Sequence, residues 1–138
     1  MSTPARIQRC RTKGWRAPAG ARYVGRGTRW GNPFTVVCAA RAPWRVETTE
    51  RGSGALAGGP HLFSTWEEAA AFATRLFELH TGPLGLYEYD ADTLADLRRD
   101  LADRDLMCWC PLPAPGEPDH CHAAVLLELA NKPAARGL

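Results

Sequence analysis

The run Leu106–Asn131, "LMCWCPLPAPGEPDHCHAAVLLELAN", decides the fold. Its first five residues alternate, with Leu106, Cys108 and Cys110 on one face of an extended strand and Met107 and Trp109 on the other. Four prolines then break the chain between 111 and 119, which reads as a loop. From about Cys121 the chain becomes apolar at helical spacing, with Val125, Leu126 and Leu129 inward, and "NKP" at 131–133 stops it. This strand–loop–helix unit brings Cys108 and Cys110, at a strand end, toward Cys121 and His122, at a helix start.

Working upstream, "STWE" at 64–67 is a capping box, with Ser64 as N-cap and Glu67 three residues on. Ala69, Phe72, Ala73, Leu76, Phe77 and His80 recur at helical spacing, and Gly82 and Pro83 end that helix. A second helix is expected from about Asp92 to Ala102, with Leu94, Leu97 and Leu101 on one face. Glu88, Asp90 and Asp92 read as a solvated acidic turn. Further back, Phe34–Cys38, "FTVVC", has strand composition, Trp44–Thr49 is a second candidate and Arg6–Arg11 a first short one. The order of strands, helix, helix, strand and helix predicts a small α/β or α+β fold, with about three helices on a short central sheet.

A length of 138 residues fits one domain over residues 1–138. It divides into a basic Gly/Arg/Trp part at 1–50, a glycine-rich segment at 51–61 read as a flexible insertion, and the helices with the Cys/His unit at 62–131. No stretch is apolar for long enough to span a bilayer, so no membrane partner is expected. The N-terminal basic residues precede no apolar run, so no secretory signal is expected. A cytoplasmic location with reduced thiols follows, and five cysteines, an odd number, argue against a full disulfide framework.

Charge is unevenly spread. Residues 1–51 carry eleven Arg and Lys against two Glu, while the rest carries six against thirteen acids, for a net +2. The first thirty residues hold no acid. Such a segment favours an anion (phosphate, nucleotide or nucleic acid) unless the acidic helices neutralise it internally.

Two constellations carry chemistry. Cys108, Cys110, Cys121 and His122 are soft or borderline ligands of the kind zinc takes tetrahedrally. An iron–sulfur cluster is the alternative, with Cys10 as a further thiolate if the first strand lies beside the last. The spacing C-x-C-x10-C-H is no standard zinc finger. Cys121, between His120 and His122 at a helix start, is also a candidate nucleophile, because helix amides favour a thiolate. Small buried core residues, with no metal or cofactor, are the third reading of these cysteines.

The second constellation is "KGWRAPAGARYVGRGTRWGNPF" at 13–34. Arg16, Arg22, Arg26 and Arg29 alternate with Trp15, Tyr23 and Trp30, and glycines allow close backbone approach to a ligand. Guanidinium forks suit phosphate, and an indole offers a face to a base or sugar. Asn32, held extended before Pro33, can read a polar edge. The ligand set read here is Arg16, Tyr23, Arg26, Arg29, Trp30 and Asn32, for a phosphorylated, ring-bearing small molecule or for nucleic acid. The alternative is a tight turn whose tryptophans cover the core. The glycine spacing matches neither the P-loop nor the dinucleotide fingerprint.

These two blocks, "GWRAPAGARYVGRGTRWGNPF" and "LMCWCPL…CHAAVLLELAN", resemble the bacterial and phage domain-of-unknown-function family 4326. The resemblance maps onto Pro18, Gly20, Tyr23, Gly25, Arg26, Gly27, Trp30, Gly31, Asn32, Pro33 and Phe34, then Cys108, Cys110, Cys121 and His122. It supports a two-site picture and implies no reaction. The function expected is a nucleotide- or nucleoside-type ligand-binding domain with a Cys/His metal or cluster site. Any reaction would be hydrolysis or transfer at a glycosidic or phosphate bond. Arg16 and Arg26 would hold phosphate, Trp30 would stack, Asn32 would orient, and His122 would act as acid–base if it is not a ligand. A non-enzymatic nucleic-acid-binding module with structural zinc, and a thiol enzyme centred on Cys121, are the alternatives.

Overall fold

A computed structural model of the chain describes residues 3–38, 43–48, 62–83, 85 and 87–131. The segment 51–61, expected as an insertion, lies outside them. The strands are β1 (Arg6–Gln8), β2 (Arg22–Tyr23), β3 (Phe34–Cys38), β4 (Trp44–Thr48), β5 (Leu62–Phe63) and β6 (Leu106–Cys108). The helices are α1 (Trp66–Thr81), α2 (Ala91–Leu101) and α3 (His122–Asn131). This is a single small α+β domain.

The strands form two sheets of three rather than one central sheet. The first runs β1-β6-β2, all parallel, with Ile7 and Tyr23 each level with Met107. The second, β3-β4-β5, is an antiparallel meander with Val36 opposite Val46. Parallel strands need a long crossover between them. Here the whole second sheet and two helices fill the connection from β2 to β6.

Helix α1 joins the halves. Its Ala69, Ala73 and Leu76 pack on Phe34 and Val46 of the second sheet. Its Phe77 enters the other core, with Val24, Trp30, Leu97, Leu101, Leu106 and Leu126. Alanines on the sheet side let the helix approach closely. Two capping boxes overlap in "STWEE", and the chain uses the second. Thr65 is the N-cap, its hydroxyl accepting from the Glu68 amide at 3.2 Å, in place of the expected Ser64 with Glu67. Asp90 likewise caps α2, accepting from the Thr93 amide at 2.8 Å, and like Glu88 and Asp92 it is exposed to solvent. Among the described residues no helix is long and apolar enough to cross a membrane.

Candidate functional site

The strand reading of 106–110 places the thiols. Cys108 ends β6 with its side chain buried toward α3, in one cluster with Cys121, Ala123 and Leu126. Cys110, two residues on, keeps the same side, and its Sγ lies 3.8 Å from that of Cys108. Cys121 sits immediately before α3 and is 1% exposed. The sulfurs of Cys108, Cys110 and Cys121 all lie within 4.8 Å of one another, and this group could hold a metal ion.

A buried arginine sets the loop that closes this triad. The Arg6 guanidinium, its side chain 5% exposed, grips Asp119 through Nε at 2.7 Å and Nη2 at 3.0 Å. It also donates to the carbonyls of Cys110 at 2.7 Å and Pro111 at 2.6 Å. Both ends of the proline loop, beside Cys110 and beside Cys121, are thus tied to β1. Sequence reasoning missed this pair, because nothing local links residues 113 positions apart.

Charge in the triad is shared. The Cys108 thiol is held far below its ordinary pKa because Cys110 and Cys121 can donate hydrogen bonds to its thiolate. The hydrogen bond to Cys108 correspondingly pushes Cys110 up, and the bonds to Cys108 and Cys110 push Cys121 up, with burial adding to both. One negative charge among three sulfurs is the stable arrangement without a metal. The neighbouring sulfurs and burial thus favour the protonated form of Cys121.

His122 is 5% exposed and stands outside the group of three. Its Nε2 is 2.7 Å from the Val24 carbonyl, and its Nδ1 is 3.9 Å from Cys121 Sγ. A carbonyl only accepts, so Nε2 carries the proton and Nδ1 keeps a lone pair on the Cys121 side. Burial pushes the imidazole pKa below its ordinary value, so the neutral ring is favoured. Although β1 does lie beside β6, Cys10 does not join the group. Its Sγ is half-buried and sits 3.5 Å from the Gln8 carbonyl.

The triad forms one wall of a cavity of about 420 Å³. The cavity opens beyond the carboxyl ends of the parallel strands, where ligands of such sheets commonly sit. Phe34, Thr35 and Val36 of β3 line another side, and Trp66 and Thr74 of α1 a third. Tyr23, Arg26, Asn32, Trp109, His120 and His122 also face it.

Of the residues read as ligand-binding, Tyr23, Arg26 and Asn32 reach the cavity, while Arg16, Arg29 and Trp30 do not. Arg16 is exposed on its loop. Trp30 is 2% exposed and edge-on to Tyr89 in the core, as a turn whose tryptophan covers the core would have it. Arg29 lies over the Trp30 ring and pairs with Asp96 at 3.0 Å. Asn32 spends its amide on the protein, donating to the Ala73 carbonyl at 3.3 Å and accepting from the Phe34 amide at 2.9 Å. The glycines of this loop serve its own folding. A Cβ on Gly25 would strike the Tyr23 ring, and one on Gly31 would meet the Gly25 carbonyl at 2.8 Å. Trp109 was missed as a cavity residue. Its 38% exposure at the end of a buried strand is the signal, and burial cannot be read from alternation alone.

No curated protein and no solved structure matches the chain. A family model does match it, over residues 7–132, a span that includes Ile7 and Gln8 of β1, the basic loops, the cavity and the whole cysteine unit. The chain therefore belongs to the family described as a domain of unknown function, DUF4326.

Proposed function

We propose that the protein is a nucleotide- or nucleoside-type ligand-binding domain whose cavity is built around a zinc ion. The observation that carries this is the sharing of one cavity by the three thiols and Arg26, an exposed guanidinium with no ion pair among the described residues. Zinc bonds of about 2.3 Å in a tetrahedron put sulfurs about 3.8 Å apart, which fits the Cys108–Cys110 separation of 3.8 Å. In a four-iron cluster each iron takes one thiolate, so the sulfurs would have to stand farther apart, and a two-iron cluster would need a fourth thiolate that the group of three does not contain. Cys108, Cys110 and Cys121 would hold the ion, and the Nδ1 lone pair of His122 is the fourth donor. A ligating histidine commonly donates its other N–H to a carbonyl, as His122 is placed to do to Val24. Bound there, the ion would neutralise the thiolates and clasp β6 to α3.

The ligand's phosphate belongs to Arg26, and its ring to the aromatic side of the cavity formed by Tyr23 and Trp109. Hydrolysis or transfer at a glycosidic or phosphate bond is the reaction class such a ligand admits. A site built on reduced thiols is at home in a cytoplasmic setting, which is the location proposed for it. The test is elemental analysis of the purified protein together with calorimetric titration of nucleoside monophosphates. One zinc per chain is expected, with binding weakened about tenfold in Arg26→Ala, the scale of one charged hydrogen bond. A metal-free protein, or nucleotide binding indifferent to Arg26→Ala, sinks the reading.

A further inference from the structure

A second constellation adjoins the cavity and shares two of its lining residues, Tyr23 and Trp109. Arg9 follows Ile7 by two residues and Trp109 follows Met107 by two, so both continue the sheet face on which Ile7, Met107 and Tyr23 lie level. This is the face opposite Cys108. The Arg9 guanidinium lies 4.8 Å from the centre of the Tyr23 ring and 5.0 Å from that of Trp109. Arg11 lies 4.7 Å from the centre of the Trp109 ring. Tyr23, Arg9, Trp109 and Arg11 therefore form a ladder of alternating rings and guanidinium planes.

Stacking of this kind holds a guanidinium flat and leaves its N–H edge free for phosphate. Neither Arg9 nor Arg11 makes an ion pair among the described residues. The first thirty residues of the sequence contain no acid to supply one locally. Two members of the ladder, Tyr23 and Trp109, also line the cavity, whereas Arg9 and Arg11 do not. A ligand that touches Arg26 in the cavity and both ladder arginines would reach past the Tyr23 and Trp109 side of the cavity.

We propose that the ladder seats the backbone of a single-stranded nucleic acid whose end or displaced nucleotide enters the cavity. Phosphates take the guanidinium edges of Arg9 and Arg11, and a base extends the stack beyond Arg11, the end of the ladder. Single strands are held by this combination of basic groove and aromatic faces. The inference rests on the cavity reading above and names the substrate class that reading leaves open.

The test uses zinc-loaded full-length protein and labelled DNA and RNA strands of about ten nucleotides, a length within known single-strand site sizes. Fluorescence anisotropy is followed across a salt series, with a nucleoside monophosphate titrated in parallel. A strand is expected to bind at least tenfold tighter than the monophosphate. Arg11→Ala should weaken strand binding and reduce the slope of log K against log salt by about one, the share of one phosphate contact. Arg9→Lys should weaken binding with the slope kept, because charge remains and the planar stack is lost. Neither substitution should alter monophosphate binding. If strand and monophosphate bind equally, or both arginine variants bind the strand like wild type, the ladder proposal fails while the cavity reading stands. If neither ligand binds, both readings fail.

Discussion

At the scale of single residues, the cysteines separate by what they touch. Cys108, Cys110 and Cys121 face one centre, and Cys10 faces its own strand. Replacing Cys121 by Ser should lower zinc affinity about a hundredfold or more, beyond the range known for partners that merely orient a ligand. Cys10→Ser should leave it unchanged, as competition with a chromogenic chelator would show. The pH dependence follows from the shared charge. Near neutrality the three sulfurs share about one negative charge, because their mutual hydrogen bonds favour ionised Cys108, and those bonds and burial favour protonated Cys110 and Cys121. Binding three thiolates then expels two protons, so affinity should rise with pH at about two log units per unit, and fall toward acid. A flat profile across neutrality would show that the thiols are not the ligands.

Tyr89 gives a second residue-scale expectation. Burial beside Trp30 and Phe77 pushes its phenol up to about 12, against a weaker opposing pull from Arg29. The fold thus prefers the neutral ring. The resulting stability is complete below the ordinary tyrosine pKa of about 10 and is lost as pH climbs from there toward 12. Wild type should show an alkaline fall in thermal midpoint in that window, with late phenolate absorbance. Tyr89→Phe should lose the late absorbance and show a smaller fall.

At the scale of elements, the sequence was most legible where a pattern is long or capped. Sixteen residues of α1 and the five-residue β3 announce themselves by period and composition. The two-residue strands β2 and β5 do not, since two residues carry no period and pair only because a partner strand is already present. The same division holds in the site. The cysteines and Arg26 were visible as clustered chemistry, but that Trp30 is core and Trp109 half-open depends on which elements pack over them. The Arg6–Asp119 tie illustrates the energetic side. Arg6→Met would strand a shielded carboxylate and two carbonyls, so a loss of about 3 kcal/mol is expected in denaturant melts. Thr65→Ala removes one exposed cap and should cost about 1 kcal/mol. Equal losses would mean that the proline loop is not held by Arg6.

At the scale of the molecule, two cores meet on α1, and the triad lies where β6, the proline loop and α3 converge. A metal at that point would tie β6 directly to α3 across the loop that connects them, and it would bind the folded chain because the unfolded one presents no assembled site. Stripping zinc with a chelator should therefore destabilise the whole fold. At free zinc a hundredfold above Kd the folded state gains about 2.7 kcal/mol. The loss should not be uniform. Amides of β6 and α3, adjacent to the clasp, should exchange faster in the metal-free protein. Those of β4, which packs on α1 through Val46 and does not line the cavity, should change least. Hydrogen exchange read by mass spectrometry distinguishes this from a metal held at the surface, for which removal would leave both sheets equally protected.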